Sequence, residues 1–213
     1  MRKNVKQQLA LRVLSTAALM AMVSSIATAA FADTYDLTKG SVDILAEGGK
    51  QYITQWEDKD NDTCVKDGEG KEIRDREDSD ITLTTKDETT GKTETTSNTV
   101  TIDAKEDNTA NVTLENVDIE QPDSHWSGNT DPAPIEIKGD GNTKLELNGN
   151  NTVLSGNGKH AGIEKADVNG TGTLTIKDDV NDNGTEKSGT EADTTGKLLA
   201  GGILTAFFIA LQI

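Results

Sequence analysis

The runs TVTID (residues 99–103), NVTLENVDIE (111–120), PIEIKGDGNTKLELNGNNTVLSG (134–156), HAGIE (160–164) and GTLTIKDD (172–179) decide the fold. Within them apolar and polar residues alternate: Val100 with Ile102, Val112 with Leu114, Ile135 with Ile137, Leu145 with Leu147, Leu174 with Ile176. Alternation at period two buries one face of a strand and leaves the other wet. Each run is too short to persist as a free strand, so similar runs must stack above and below it.

The runs also recur as a set. NVTLENVDIE aligns with TKLELNGNNTVLSG about 32 residues later, and GTLTIKDD follows after about 29 more. TVTID, PIEIK and AGIEK form a second, offset series, and ITL at Ile81–Leu83 reads as an earlier member of the first, about 31 residues before Val112. A repeat holding two or three short strands and no helical pattern predicts an all-β chain: a single-stranded parallel β-helix, that is, a solenoid of few coils. Asparagines at the predicted corners (Asn111, Asn116, Asn148, Asn151) suit this arrangement, because amides of stacked turns can bond in ladders. A β-sandwich of hairpins is the alternative that the same alternation permits.

Outside the repeats the chain divides by composition. Arg2, Lys3, Lys6 and Arg12 precede the apolar run VLSTAALMAMVSSIATAA, which ends near Ala30-Phe31-Ala32. A basic start, an apolar middle and an A-x-A site make residues 1–32 a secretory signal peptide. Residues 33–180 form the β-helix domain, with a first strand at VDIL and a second around Tyr52 and Ile53. Charged insertions are expected at 57–80 and 86–97, a polar linker at 181–197, and an apolar tail at 198–213. As a helix that tail would run about 24 Å, short of the roughly 30 Å bilayer core. It reads as a cap over an open solenoid end or as a membrane contact.

The whole chain carries a net charge of −16 from 21 basic and 37 acidic residues. The signal peptide holds four of the basic residues and none of the acidic ones, so the exported part carries 17 against 37, or −20. Such a surface repels nucleic acid and attracts divalent cations. The single cysteine, Cys64, provides no internal disulfide.

The strand repeats, together with YDLTKGSVDILAEGGKQYIT (residues 35–54), resemble right-handed β-helix repeats of secreted Gram-positive bacterial surface proteins described as carbohydrate-binding or adhesin-like. The resemblance covers roughly residues 33–179, interrupted by the charged insertions. It implies a fold more strongly than a ligand, because repeat consensus is set by packing.

Asp58, Asp60, Asp62 and Glu69 occupy carboxylate positions of the calcium-loop pattern D-x-[DN]-x-[DN]-G-x5-E, but Thr63 stands where the pattern has glycine. Ca2+ is therefore a candidate cofactor, and a solvated acidic loop is the plainer reading. Asp179–Gly184 starts a similar pattern but has Thr190 at the last ligand position. For a ligand, Trp126 and His125 stand out in the polar loop 121–131, where an indole offers a flat face to a sugar ring. Trp56, Tyr35 and Tyr52 are the other aromatics weighed.

A β-helix polysaccharide lyase would need clustered carboxylates and a basic residue at the reacting carbon. Arg74 and Arg76 are the only arginines after the signal peptide, and Lys138, Lys144 and Lys177 read as solvent-facing. His125 and His160 lack an evident carboxylate partner in sequence. The expectation is a secreted or cell-surface, non-catalytic module whose partner is a polysaccharide or surface glycan. A structural spacer of a larger surface protein is the alternative, and a lyase the second.

Overall fold

In the computed structural model, residues 33–122, 132–156, 160–166, 170–178, 196–202 and 205–212 are described. Residues 1–32, expected as a signal peptide, residues 123–131 with His125 and Trp126, the Asp179–Gly184 stretch and most of the expected polar linker lie outside them.

Three sheets account for the strands. Sheet I contains β1 (Thr34–Asp36), β6 (Ile81–Thr84), β8 (Thr109–Glu115), β11 (Asn142–Asn148) and β14 (Leu174–Asp178) in that order, and every neighbouring pair is parallel. Sheet II stacks β2 (Ser41–Glu47), β7 (Val100–Ala104), β10 (Ile135–Lys138) and β13 (Ile163–Lys165) in parallel. Beyond β2 it continues with antiparallel β3 (Lys50–Asp58), which pairs with β4 (Thr63–Cys64) and β5 (Arg76–Glu77). Sheet III stacks β9 (Asp118–Glu120), β12 (Asn150–Ser155) and β15 (Lys197–Gly202) in parallel, and β16 (Thr205–Gln212) closes it antiparallel to β15. From β7 onward the chain visits sheets II, I and III in turn.

The repeat sets the register. Ile81 pairs with Val112, Val112 with Leu145 and Leu145 with Ile176; one residue pair along, Leu83, Leu114 and Leu147 align. Sheet II aligns Val42, Val100, Ile135 and Ile163, and beside them Ile44, Ile102 and Ile137. These inward residues, except the partly buried Ile163 and Ile176 that pack against it, belong to one apolar core that also takes in Ile119 and Val153 of sheet III. Ile137 and Leu147, from different sheets, are 2% and 1% exposed in that shared core. Fully burying each such side chain contributes roughly 1.5–3 kcal/mol, so stacking supplies what a single short strand lacks.

The asparagine corners work differently from the expected amide-to-amide ladder. Buried Asn151 bonds to backbone: its Oδ1 accepts from Val117 N at 3.0 Å, and its Nδ2 donates to Asn148 O and Lys197 O, both at 3.2 Å. One amide thereby ties together three successive passes of the chain. Thr85, also buried, makes the equivalent link with less reach: its hydroxyl donates to Asn116 O and accepts from Asp118 N.

Two further expectations are corrected. Residues 57–80 are more than a charged insertion, because Cys64, Val65 and Ile73 are buried and β4 and β5 pair with β3. This flap follows the two-residue hairpin Gly48-Gly49, whose φ values of +62° and +76° suit a turn that matches strand twist. The tail forms strands, with β15 and β16 where a helix was considered. A strand there continues sheet III and lines its outer edge with an antiparallel partner, as β3 does at the far side of sheet II. Among the described residues no helix is long and apolar enough to cross a membrane.

Candidate functional site

The polar loop after β9 departs from the repeat between two well-held stems. On the way out, Gln121 N donates to Leu154 O at 2.9 Å, and the Gln121 side-chain amide donates to Ser97 O at 2.5 Å. On the way back, Ala133 is buried, and Pro134 O accepts from Val100 N just before β10 begins. Gly156 of the next pass lies against the outgoing stem: a Cβ there would meet Gln121 O at 2.1 Å and Pro122 O at 2.2 Å. Only glycine allows the stem this close to the sheet. The candidate ligand residues of this segment, His125 and Trp126, fall outside the described residues, while the flanking residues are hydrogen-bonded or packed against neighbouring passes.

The other indole is engaged. Trp56 on β3 is half-buried, and its ring N–H donates to Asp43 Oδ2 at 2.7 Å. Arg74 lies 5.1 Å and Lys59 5.8 Å from the ring centre, within cation–π range. Lys59 also reaches Asp43 Oδ2 at 2.6 Å. This cluster fastens the flap to β2 and leaves Trp56 a structural role. Tyr35, likewise, is buried with its hydroxyl donating to Asp78 Oδ2 at 2.9 Å. Burial first, and then the Asp78 charge, push its phenol far above the usual range. Tyr52 is half-buried on β3.

The acidic turn is built from its own backbone. Asp58 Oδ1 accepts from Asp60 N and Asn61 N, both at 3.1 Å, and Oδ2 accepts from Asn61 Nδ2 at 2.7 Å. The Asn61 side chain foremost, and then these backbone donors, hold the Asp58 carboxyl below its usual range. Asp62 has φ of +55° and pairs with Arg74 at 2.8 Å. The left-handed residue is thus the fifth of the pattern, where the calcium loop needs it at the sixth. Asp60 and Glu69 are exposed. Among the described residues no three metal-ligating side chains converge on a common point. As placed, Asp58 is spent on the turn between β3 and β4 and Asp62 on Arg74.

A polar cleft of about 240 Å³ opens at the first strand, lined among others by Asp33, Tyr35, Gln55, Asp67 and Arg76. Arg76 is shared between Asp67 and Asp33. The backbone N–H of Lys71 first, and then Arg76, hold the Asp67 carboxyl below its usual range. Cys64 is buried, and burial pushes its thiol up, away from reactivity.

Several of the described residues weighed for lyase chemistry are engaged in ion pairs. Arg74 and Arg76 serve the flap, and Lys138 pairs with Glu136 at 2.8 Å. His160 does have a carboxylate partner, correcting the sequence reading: its Nδ1 lies 2.9 Å from Glu164 Oε2. The two residues are four apart, and the start of β13 folds one onto the other. No protein-family model, curated protein or solved structure matches the chain.

Proposed function

We propose that this chain is a secreted, non-catalytic parallel β-helix module that contacts neutral polysaccharide or surface glycan through the loop carrying His125 and Trp126. The observation that carries the reading is the register: from β6 onward equivalent strands repeat every 31 to 33 residues along sheet I, all parallel and all packing on one core. Hairpins stacked as a sandwich would pair antiparallel, whereas a coil advancing one strand spacing per turn pairs parallel. A scaffold of this kind fixes backbone geometry, so recognition belongs to what departs from the repeat.

The loop at residues 121–131 is such a departure, and its two stems are pinned to neighbouring passes. An indole that faces solvent offers a sugar a flat apolar face, and polar neighbours serve its hydroxyls. The excess of acidic residues favours a neutral or basic glycan over an acidic one. Export through the signal peptide at residues 1–32 and the resemblance to surface-protein repeats support the same reading.

Affinity electrophoresis against a panel of neutral polysaccharides tests it. The parent chain should be retarded by at least one of them, and Trp126→Ala should migrate freely with its circular dichroism unchanged. Identical migration of parent and mutant on every ligand would favour the spacer.

A further inference from the structure

Asp78 is a carboxylate buried to 2% exposure. It accepts from the Tyr35 hydroxyl at 2.9 Å, from Asp80 N at 2.9 Å, and from the backbone nitrogen of Asp33 at 3.2 Å. Arg76, the nearby cation, gives its guanidinium to Asp33 and Asp67. Among the described residues no lysine or arginine forms an ion pair with Asp78. A carboxylate removed from water without a counter-charge is costly, and folds avoid it unless a charge is supplied.

The chemistry of the chain supplies one. Asp33 follows Ala30-Phe31-Ala32, the expected signal-peptidase site. Hydrolysis of the Ala32–Asp33 peptide bond adds water across it: Ala32 leaves with the carboxylate, and Asp33 keeps an α-amine that is protonated at neutral pH. The nitrogen already within hydrogen-bond distance of Asp78 then becomes an ammonium. The rest of Asp33 is held too, its carbonyl accepting from Thr82 N at 3.2 Å and its side chain reaching Arg76 at 3.5 Å.

We propose that signal-peptide cleavage completes the first coil: the new α-ammonium of Asp33 is the counter-ion of buried Asp78. The precursor holds the same site with an uncharged amide. Removal of the leader is therefore a stabilising step as well as an export step, and the β1–β6 pairing that the full chain already makes is held more firmly in the processed chain. This inference rests on the export reading above but not on the glycan.

The test uses the chain prepared to begin at Asp33, from a fusion partner removed without leaving residues. Titration of the ¹⁵N-labelled α-amine should place its pKa above the usual range of about 7.7–8.0, and Asp78→Asn should return it to that range. A chain retaining Ala30-Phe31-Ala32 should melt about 3 to 12 °C lower at pH 6, the equivalent of one charge-assisted hydrogen bond in a domain of this size. An amine raised in the folded state stabilises below its unfolded pKa, and the benefit fades as pH rises through the folded one. The gap should therefore close in alkali and in the Asp78→Asn background.

An α-amine titrating in its usual range overturns the pairing. So does a melting gap that Asp78→Asn leaves untouched. If Asp78→Asn fails to fold, the amine titration in the parent chain decides alone. Intact mass of the secreted protein separates the two premises: a start other than Asp33 overturns the processing step, whatever the amine does in the prepared chain.

Discussion

Replacing Leu114 by alanine asks how far stacking carries this fold. Leu114 is 0% exposed and sits in register between Leu83 below and Leu147 above, themselves 0% and 1% exposed. Truncation leaves a gap bordered on both sides by strands whose spacing is fixed by backbone hydrogen bonds, so collapse can fill little of it. Buried leucine-to-alanine changes cost about 2–5 kcal/mol, the higher values where the surroundings cannot relax. Two fixed neighbours place Leu114 in the upper half of that range. Thr113, one residue away on the same strand, is half-buried on the opposite face. Its replacement by alanine should stay within about 0.5 kcal/mol. Urea denaturation followed by circular dichroism measures both, with the slope watched for loss of two-state behaviour, which stacked repeats are prone to. In melting temperature the Leu114 effect corresponds to about 2–4 °C per kcal/mol. Equal effects at the two positions would refute the inward and outward assignment of β8, and with it the shared core.

Asn151→Ala should cost about 1–3 kcal/mol, because its amide satisfies Val117 N, Asn148 O and Lys197 O inside the fold. Asn151→Asp should be worse at neutral pH, since a carboxylate would face two carbonyls; a neutral result for either variant in urea would show that the amide is dispensable. Adding 1 mM calcium should leave the melting point unchanged, since the Asp62–Arg74 pair would have to break first. A site with a Kd of about 10 μM would instead stabilise by roughly 2.7 kcal/mol, and a shift of that size, lost in Asp58→Ala with Asp60→Ala, would restore the calcium reading.

The stacking register was legible because it repeats. ITL at Ile81–Leu83, read as a strand about 31 residues before Val112, pairs Ile81 with Val112, and TVTID, PIEIK and AGIEK align as one series. Period-two alternation states which side chains face inward, and a repeat lets one run vouch for the next. Features that occur once had no such support. The flap at 57–80 hides its core residues, Cys64, Val65 and Ile73, among charges, and Trp56, Lys59 and Arg74 assemble from three separated positions. The tail misled for another reason. A continuous apolar run has no period, so strand and helix look alike until a neighbouring strand offers it an edge. His160 and Glu164 lie four residues apart without a helix, a pairing that no helical pattern could announce.

The spacing of paired strands along the chain shows where the long connection falls. From β6 onward sheet I keeps successive strands 31 to 33 residues apart, while sheet II spaces them unevenly: Val100 pairs with Ile135, but Ile135 pairs with Ile163. The difference is traded around each turn. Where the long connection 121–134 separates sheets III and II, the preceding strand β9 shrinks to Asp118–Glu120 and the following connection is only 139–141. In the next turn β12 extends over Asn150–Ser155, the same corner takes only 156–162, and the length reappears between β13 and β14. Connection length is thus exchanged for strand length between successive passes of the chain. Sheet I does not register the exchange, since its apolar ladders continue unbroken through both turns. A corner that can lengthen at the expense of a neighbouring strand can change its surface chemistry while the core beneath it stays in register, which is what a recognition loop on a stacked scaffold requires.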